Sequence, residues 1–204
     1  LTKLSPGFII TRKKEVIMTL LLVHRPKHLL LSLLYDMGLI TLGVLLLVVS
    51  ARTVIPLPFT PVPVTGQTLA IFLIASSMGR TRGTLSVLSY ILVGIAGLPV
   101  FAGGTLGIAR IFGPTGGYII GFLLGAYVIG YLSEKGWDRQ FLKALLTFLI
   151  GNILIYIPGI IQLSIFTGWN KAFLMGLYPF IPGDIVKIMI AGTSFPLLWR
   201  LRRA

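Results

Sequence analysis

Several uninterrupted apolar runs in this chain reach the roughly 20 residues that a helix needs to cross a bilayer. That feature limits what the chain can fold into. Inside hydrocarbon every backbone N–H and C=O must find its partner within the protein, and a helix meets that demand along its own length. The rest of the composition agrees. Hydrophobic residues make up 55% of the 204 and charged residues 11%, against about a quarter charged in an ordinary soluble domain. The chain reads as an all-α integral membrane protein that crosses the bilayer repeatedly.

Counting spans along the sequence gives six transmembrane helices: residues 29 to about 54, 67–79, 84 to about 98, 116–132, 141–157, and from 181 to just before Arg200. An even number places both termini on one side. The net charge of +13 then becomes a topology signal. Fourteen of the eighteen Lys and Arg residues fall on the face that carries the termini, and positive charge marks the cytoplasmic side. Both termini are therefore expected in the cytoplasm, in a multi-pass protein of the cell (plasma) membrane. Charge confined to the ends of spans argues against nucleic acid as a partner and for membrane lipid. The four cations left on the outer half are Arg52, Arg110, Lys171 and Lys187. Arg52 and Lys171 read as interfacial side chains that snorkel to water; Arg110 and Lys187 call for another explanation.

Residues 1–28 form a basic N-terminal segment, interfacial or disordered, ahead of a membrane domain over 29–204. The apolar stretch 16–23 is too short to span, and no small-residue cleavage site follows it, so no signal peptide is read there. Between the first two spans lie Pro56, Pro58, Pro61 and Pro63. Prolines at that density cannot continue a helix and favour extended chain. Their neighbours are apolar, so this non-helical segment is expected to pack as a lid or wall over a site rather than to serve as a solvated linker. Gly117, Gly121 and Gly125 repeat at four-residue spacing in the fourth span, the pattern that lets helices pack closely in lipid. Residues 158–179 read as a loop or a partly re-entrant segment, with Trp169 and Tyr178 as interface anchors.

Two stretches could carry function. Ala109–Tyr118 holds one fixed cation, Arg110, among Gly113, Pro114, Gly116 and Gly117. A guanidinium is a rigid fork suited to a carboxylate or phosphate, so the stretch is either an anion site at a membrane face or an ordinary hairpin between spans. In the last span Asp184 and Lys187 stand three residues apart and share a helix face. They are either a local salt bridge or part of the same site. Arg110, Asp184 and Lys187 sum to +1, which complements a ligand with one carboxylate and a neutral polar group. The chain has no Cys and only two His, which excludes disulfides and thiolate chemistry, and no acid pair, Ser–His arrangement or metal cluster accompanies Arg110, Asp184 and Lys187 to do catalysis. No cofactor is expected.

At these residues the sequence resembles the BioY family, the biotin-specific substrate-capture subunits of energy-coupling-factor transporters. The resemblance rests on residues 55–65 with Gln67, on 97–104, on Arg110 with 113–118, and on Pro182-Gly183-Asp184 with Lys187. It covers roughly residues 50–190. It implies a six-helix fold, biotin as the transported ligand, and a transmembrane coupling subunit and two ATPase subunits as partners. It also implies ligand contact by Arg110, Asp184 and Lys187, with Gln67 and Tyr118 from the same motifs. On this reading Arg110 pairs with the valerate carboxylate, while Asp184 and Lys187 meet the ureido group; the reverse orientation satisfies the same charges. Substrate-capture subunits of this class tend to carry small residues at four-residue spacing on the first helix, where the coupling subunit meets them. Here Gly38 and Gly43 are five apart among Leu and Val, and the N-terminal extension lies outside the pattern. The alternative reading is a membrane enzyme acting on an anionic lipid, with Arg110 on the headgroup and Asp184 as base. A channel would need rings of charge in an oligomer.

Overall fold

The computed structural model of the chain describes residues 28–202. The basic segment before His28, with its interfacial or disordered reading, and Arg203 lie outside the described residues. The helices are α1 Leu29–Arg52, α2 Gln67–Ile95, α3 Ala109–Phe112, α4 Gly116–Glu134, α5 Phe141–Thr167, α6 Trp169–Gly176 and α7 Ile181–Leu201. Four stretches are long and apolar enough to cross a membrane: α1, α4, α5, and α6 with α7 together.

The first helix is predominantly apolar, with Asp36 as its one carboxylate. Only Ser32, Leu39, Gly43, Leu47 and Ala51 are buried, a stripe at helical spacing that faces α2. At Gly43 an added Cβ would lie 2.5 Å from Ser86 Oγ, so this glycine sets how closely α1 approaches. Its remaining leucines face outward, as expected of a helix against lipid.

Two expected spans, 67–79 and 84–98, belong to one folded element. In α2 Gly79 adopts φ 80°, ψ −179°, a conformation open mainly to glycine. The arms 67–78 and 80–95 double back on each other: an added Cβ at Gly83 would come within 2.9 Å of Ala75 Cα, and Gln67 Nε2 donates to Tyr90 Oη at 2.8 Å. Residues 80–83, which fall between the two expected spans, are therefore helical, and one glycine makes the turn. Arg82 is buried and pairs with Asp36 of α1 at 2.5 Å, so it is not part of an exposed basic cluster. With its two arms, the described bundle has six principal helices.

The Pro-rich segment leaves α1 and returns as a two-stranded antiparallel ribbon. β1 Val54–Ile55 pairs with β2 Val64–Thr65, with Val54 opposite Thr65. Arg52 is not simply a snorkelling side chain: its Nη2 donates to Pro99 O at 2.9 Å and ties the ribbon to the loop that follows α2. That loop is closed by a Phe101–Thr105 bridge and a 3-10 turn at Ala102–Gly104.

The fifth span also runs further than expected. It passes through Pro158 and ends at Thr167, and most of the segment read as a loop or a partly re-entrant stretch is helix, with Gly168 (φ 79°) breaking α5 from α6. Proline costs one backbone bond, which in a membrane helix neighbouring groups can compensate. Here Gly117 of α4 lies directly against the Pro158 carbonyl. The glycine stripe of α4 continues down α5: an added Cβ at Gly121 would be 2.5 Å from Ile155 O, and one at Gly125 would be 2.9 Å from Ile155 Cγ1. Phe148 of α5 joins the rest of the core, with ring centroids 5.0 Å from Phe72 and 5.9 Å from Phe195.

Candidate functional site

A cavity opens where the β-ribbon, the loop after α2, the adjoining parts of α2, α4 and α7, and the middle of α5 meet. Its empty space, counted out to the open mouth, is about 640 Å³. Arg110, Asp184, Lys187, Gln67 and Tyr118 all line it, so residues 120 positions apart in the chain share one hollow. Val62, Pro63 and Thr65 of the Pro-rich segment form part of its wall, and Phe101, Phe122, Ile155 and Phe180 add apolar surface.

Asp184 sits in the first turn of α7, where a carboxylate complements the helix dipole. The residue is only 4% exposed, so its charge needs partners. Asn152 Nδ2 donates to Oδ2 at 3.0 Å, the Tyr156 hydroxyl donates to the same oxygen, and Lys187 Nζ meets Oδ1 at 3.3 Å. Lys187 also donates to Thr68 Oγ1 of α2 at 2.8 Å. The local salt bridge and the cavity wall are thus the same pair of side chains. An ammonium has three donors, and these contacts use two.

Arg110 stands on the one-turn helix α3 and is half-buried. Among the described residues it forms no ion pair, in contrast to Arg80, Arg82 and Lys187. Nearby, Thr115 Oγ1 is buried and has no partner among the described residues. The cavity therefore offers one uncompensated cation and one internally neutralised Asp–Lys pair.

The two remaining expected residues play more structural parts. Gln67 is 4% exposed and donates to Tyr90, whose hydroxyl donates to Val100 O at 3.0 Å. Tyr118 spends its hydroxyl on Gly176 O at 2.8 Å, and its ring meets Tyr156 edge-on at 6.0 Å. Its ring lines the cavity while its polar end closes a tertiary bond. Sequence reasoning assigned no role to Thr68, Tyr90, Asn152 or Tyr156. Asn152 and Tyr156 are four apart on α5 and share a face; that spacing of polar groups in an apolar run was the available signal. Among the described residues no group of three or more His, Asp and Glu side chains is placed to hold a metal ion.

A model of the BioY family matches residues 18–204. The chain belongs to the BioY family. The match begins well before residue 50, so part of the N-terminal extension falls inside the family pattern. The biotin transporter BioY of Thermotoga maritima is 41% identical over 128 residues, covering 63% of this chain and 75% of the relative. The probable biotin transporter BioY of Pyrococcus horikoshii is 41% identical over 156 residues, covering 76% of this chain and 91% of the relative. Among solved structures, the S-component for biotin from an ECF-type ABC transporter superposes with a TM-score of 0.69 at 27% identity, over 84% of this chain and 92% of the other. The helical bundle is thus common to this chain and a solved S-component for biotin.

Proposed function

We propose that this chain captures biotin at the outer face of the cell membrane, as the substrate-binding subunit of an energy-coupling-factor transporter. The observation that carries the reading is one cavity lined jointly by Arg110 and the Asp184–Lys187 pair. Biotin is a monoanion with a neutral ureido ring at its other end. Arg110 has no carboxylate partner among the described residues, which favours it for the valerate carboxylate. Asp184 and Lys187, already neutralised against each other, suit the ureido group, which offers both donors and an acceptor. The apolar wall, with Val62, Phe101 and Phe122, suits the thioether ring and alkyl chain. Gln67 and Tyr118 border the ligand in this arrangement.

The solved neighbour comes from an ECF-type ABC transporter, which supports a transmembrane coupling subunit and ATPase subunits as partners; the apolar helices and the distribution of basic residues support a plasma-membrane bundle surrounded by lipid with both termini cytoplasmic. The enzyme reading lacks support. The relatives carry transporter names, and the oxygens of Asp184 already accept from Asn152, Tyr156 and Lys187, which leaves the carboxylate badly placed to act as a base on a lipid.

Mass spectrometry of small molecules extracted from the purified protein tests the reading. The expected result is biotin at close to one per chain when the host is grown with the vitamin. Protein that carries none, and takes up none when biotin is added, would overturn it.

A further inference from the structure

Arg110 rides on a turn that cannot hold itself. The bonds around α3 run from Arg110 N to Gly107 O (3.1 Å), Ile111 N to Ile108 O (3.0 Å) and Phe112 N to Ile108 O (3.4 Å). One turn is far below the length at which a helix persists unaided, and its final carbonyls have no partners within it. The missing partner comes from another helix. Gln162 of α5 directs Nε2 at Ile111 O of the turn and at Gly113 O just beyond it, each at 2.7 Å; Gly113 O also accepts from Gly116 N at 3.1 Å. Both amide hydrogens are committed, one to each side of Phe112.

Gln162 does not line the candidate cavity. It lines the opposite side of the turn, in a shallow apolar groove with Ile111, Phe112, Gly117, Pro158 and Ile161. An amide among such neighbours is costly unless bonded, so its two carbonyl partners dictate its orientation. The start of α4 boxes it in: a Cβ at Gly116 would come 2.7 Å from Gln162 Nε2, and one at Gly117 would come 2.9 Å from Gln162 Cβ. The glycines of this stretch thus make room for the amide as well as for the helix pair.

We infer that Gln162 is a positioning residue for ligand capture: it fixes the Arg110 turn to α5, so the guanidinium is held towards the cavity before the ligand arrives. The inference rests on the reading of that cavity as the biotin site. A guanidinium fork depends on orientation in a way that an ammonium does not, and holding it in place beforehand avoids an ordering cost on binding.

The test is calorimetric titration of biotin into purified wild type, Gln162→Met, Arg110→Lys and the double variant. Met keeps the length and bulk of Gln162 and removes both donors. Calorimetry reads affinity separately from the competent fraction. Gln162→Met is expected to weaken binding about tenfold in the wild-type background and less than about twofold beside Arg110→Lys, where no fork remains to orient. Hydrogen exchange supplies a second readout: amides of 109–116 should exchange faster in Gln162→Met while those of 144–155 do not change. Equal losses in both Arg110 backgrounds, or unchanged affinity and unchanged exchange at 109–116, would overturn the inference and leave the biotin site standing. Wild type that binds no biotin would overturn the site reading itself, and this inference with it.

Discussion

At the scale of single residues, the cavity depends on how the Asp184 carboxylate is held in place. Three side chains from two helices serve one carboxylate, and the Tyr156 hydroxyl shares Oδ2 with Asn152. Hydrogen bonds to an ionised group contribute about 1.5–3 kcal/mol. Tyr156→Phe keeps the ring that meets Tyr118 and removes only that donor; biotin affinity is expected to fall about tenfold, and a loss below twofold would show that Asp184 does not need it. The charges at this site were legible in the sequence because a charge in an apolar run is expensive and has to be explained. Arg110, Asp184 and Lys187 stood out for that reason. Thr68 did not, since a threonine hydroxyl in a membrane helix commonly bonds its own backbone, and Tyr90 and Tyr156 did not, since they carry no charge to be explained. Thr84 and Thr193 do just that here. Gln162 escaped notice because its partners are carbonyls about fifty residues away, which no local spacing could reveal.

At the scale of elements, close packing of α4 on α5 sets the frame. The stripe of Gly117, Gly121 and Gly125 was readable from its spacing, and its partner surface is the backbone of α5 around Ile155 and Pro158. Gly121→Ala would press a methyl group against the Ile155 carbonyl, at a cost of about 1–3 kcal/mol. The thermal midpoint in detergent should drop by several degrees, and an unchanged midpoint would mean that the helices can part freely. Helix ends were less legible than helix existence. Pro158 reads as a stop in isolation, but α5 continues through it, while Gly79 hides a complete reversal inside what is nominally one helix.

The connection between α4 and α5 carries its own titrating group. Asp138 lies in the 3-10 turn Trp137–Arg139, is fully buried, and accepts from Trp199 Nε1 of α7 at 2.7 Å. Burial pushes its carboxyl up from 3.8 to about 6, with the Trp199 bond and Arg139 opposing the rise. The folded protein therefore holds this proton more tightly than the unfolded chain does. Its contribution to stability is present below about pH 4 and is lost as pH rises through about 6. Between pH 5 and 7.5 the thermal midpoint of wild type should fall by more than that of Asp138→Asn. Parallel pH curves for the two proteins would contradict the assignment.

At the scale of the whole molecule, the distribution of charge makes a prediction about sidedness. The sequence has no cysteine, so single introduced thiols report without background. Lys135→Cys, in the turn after α4, should be labelled by a membrane-impermeant maleimide only after the membrane is opened, whereas Leu106→Cys in the loop above the cavity should react from outside intact cells. The reverse pattern would invert the proposed topology. The central claim is that one hollow, formed where four helices and the Pro-rich ribbon meet, holds a single biotin between a lone guanidinium and a neutralised Asp–Lys pair. Its most direct measurement is equilibrium titration of biotin into wild type, Arg110→Ala and Asp184→Asn. The account expects one biotin per wild-type chain and losses of at least about 100-fold in each variant, in line with about 3–5 kcal/mol for breaking a buried charged set. Affinities for both variants within threefold of wild type would contradict it.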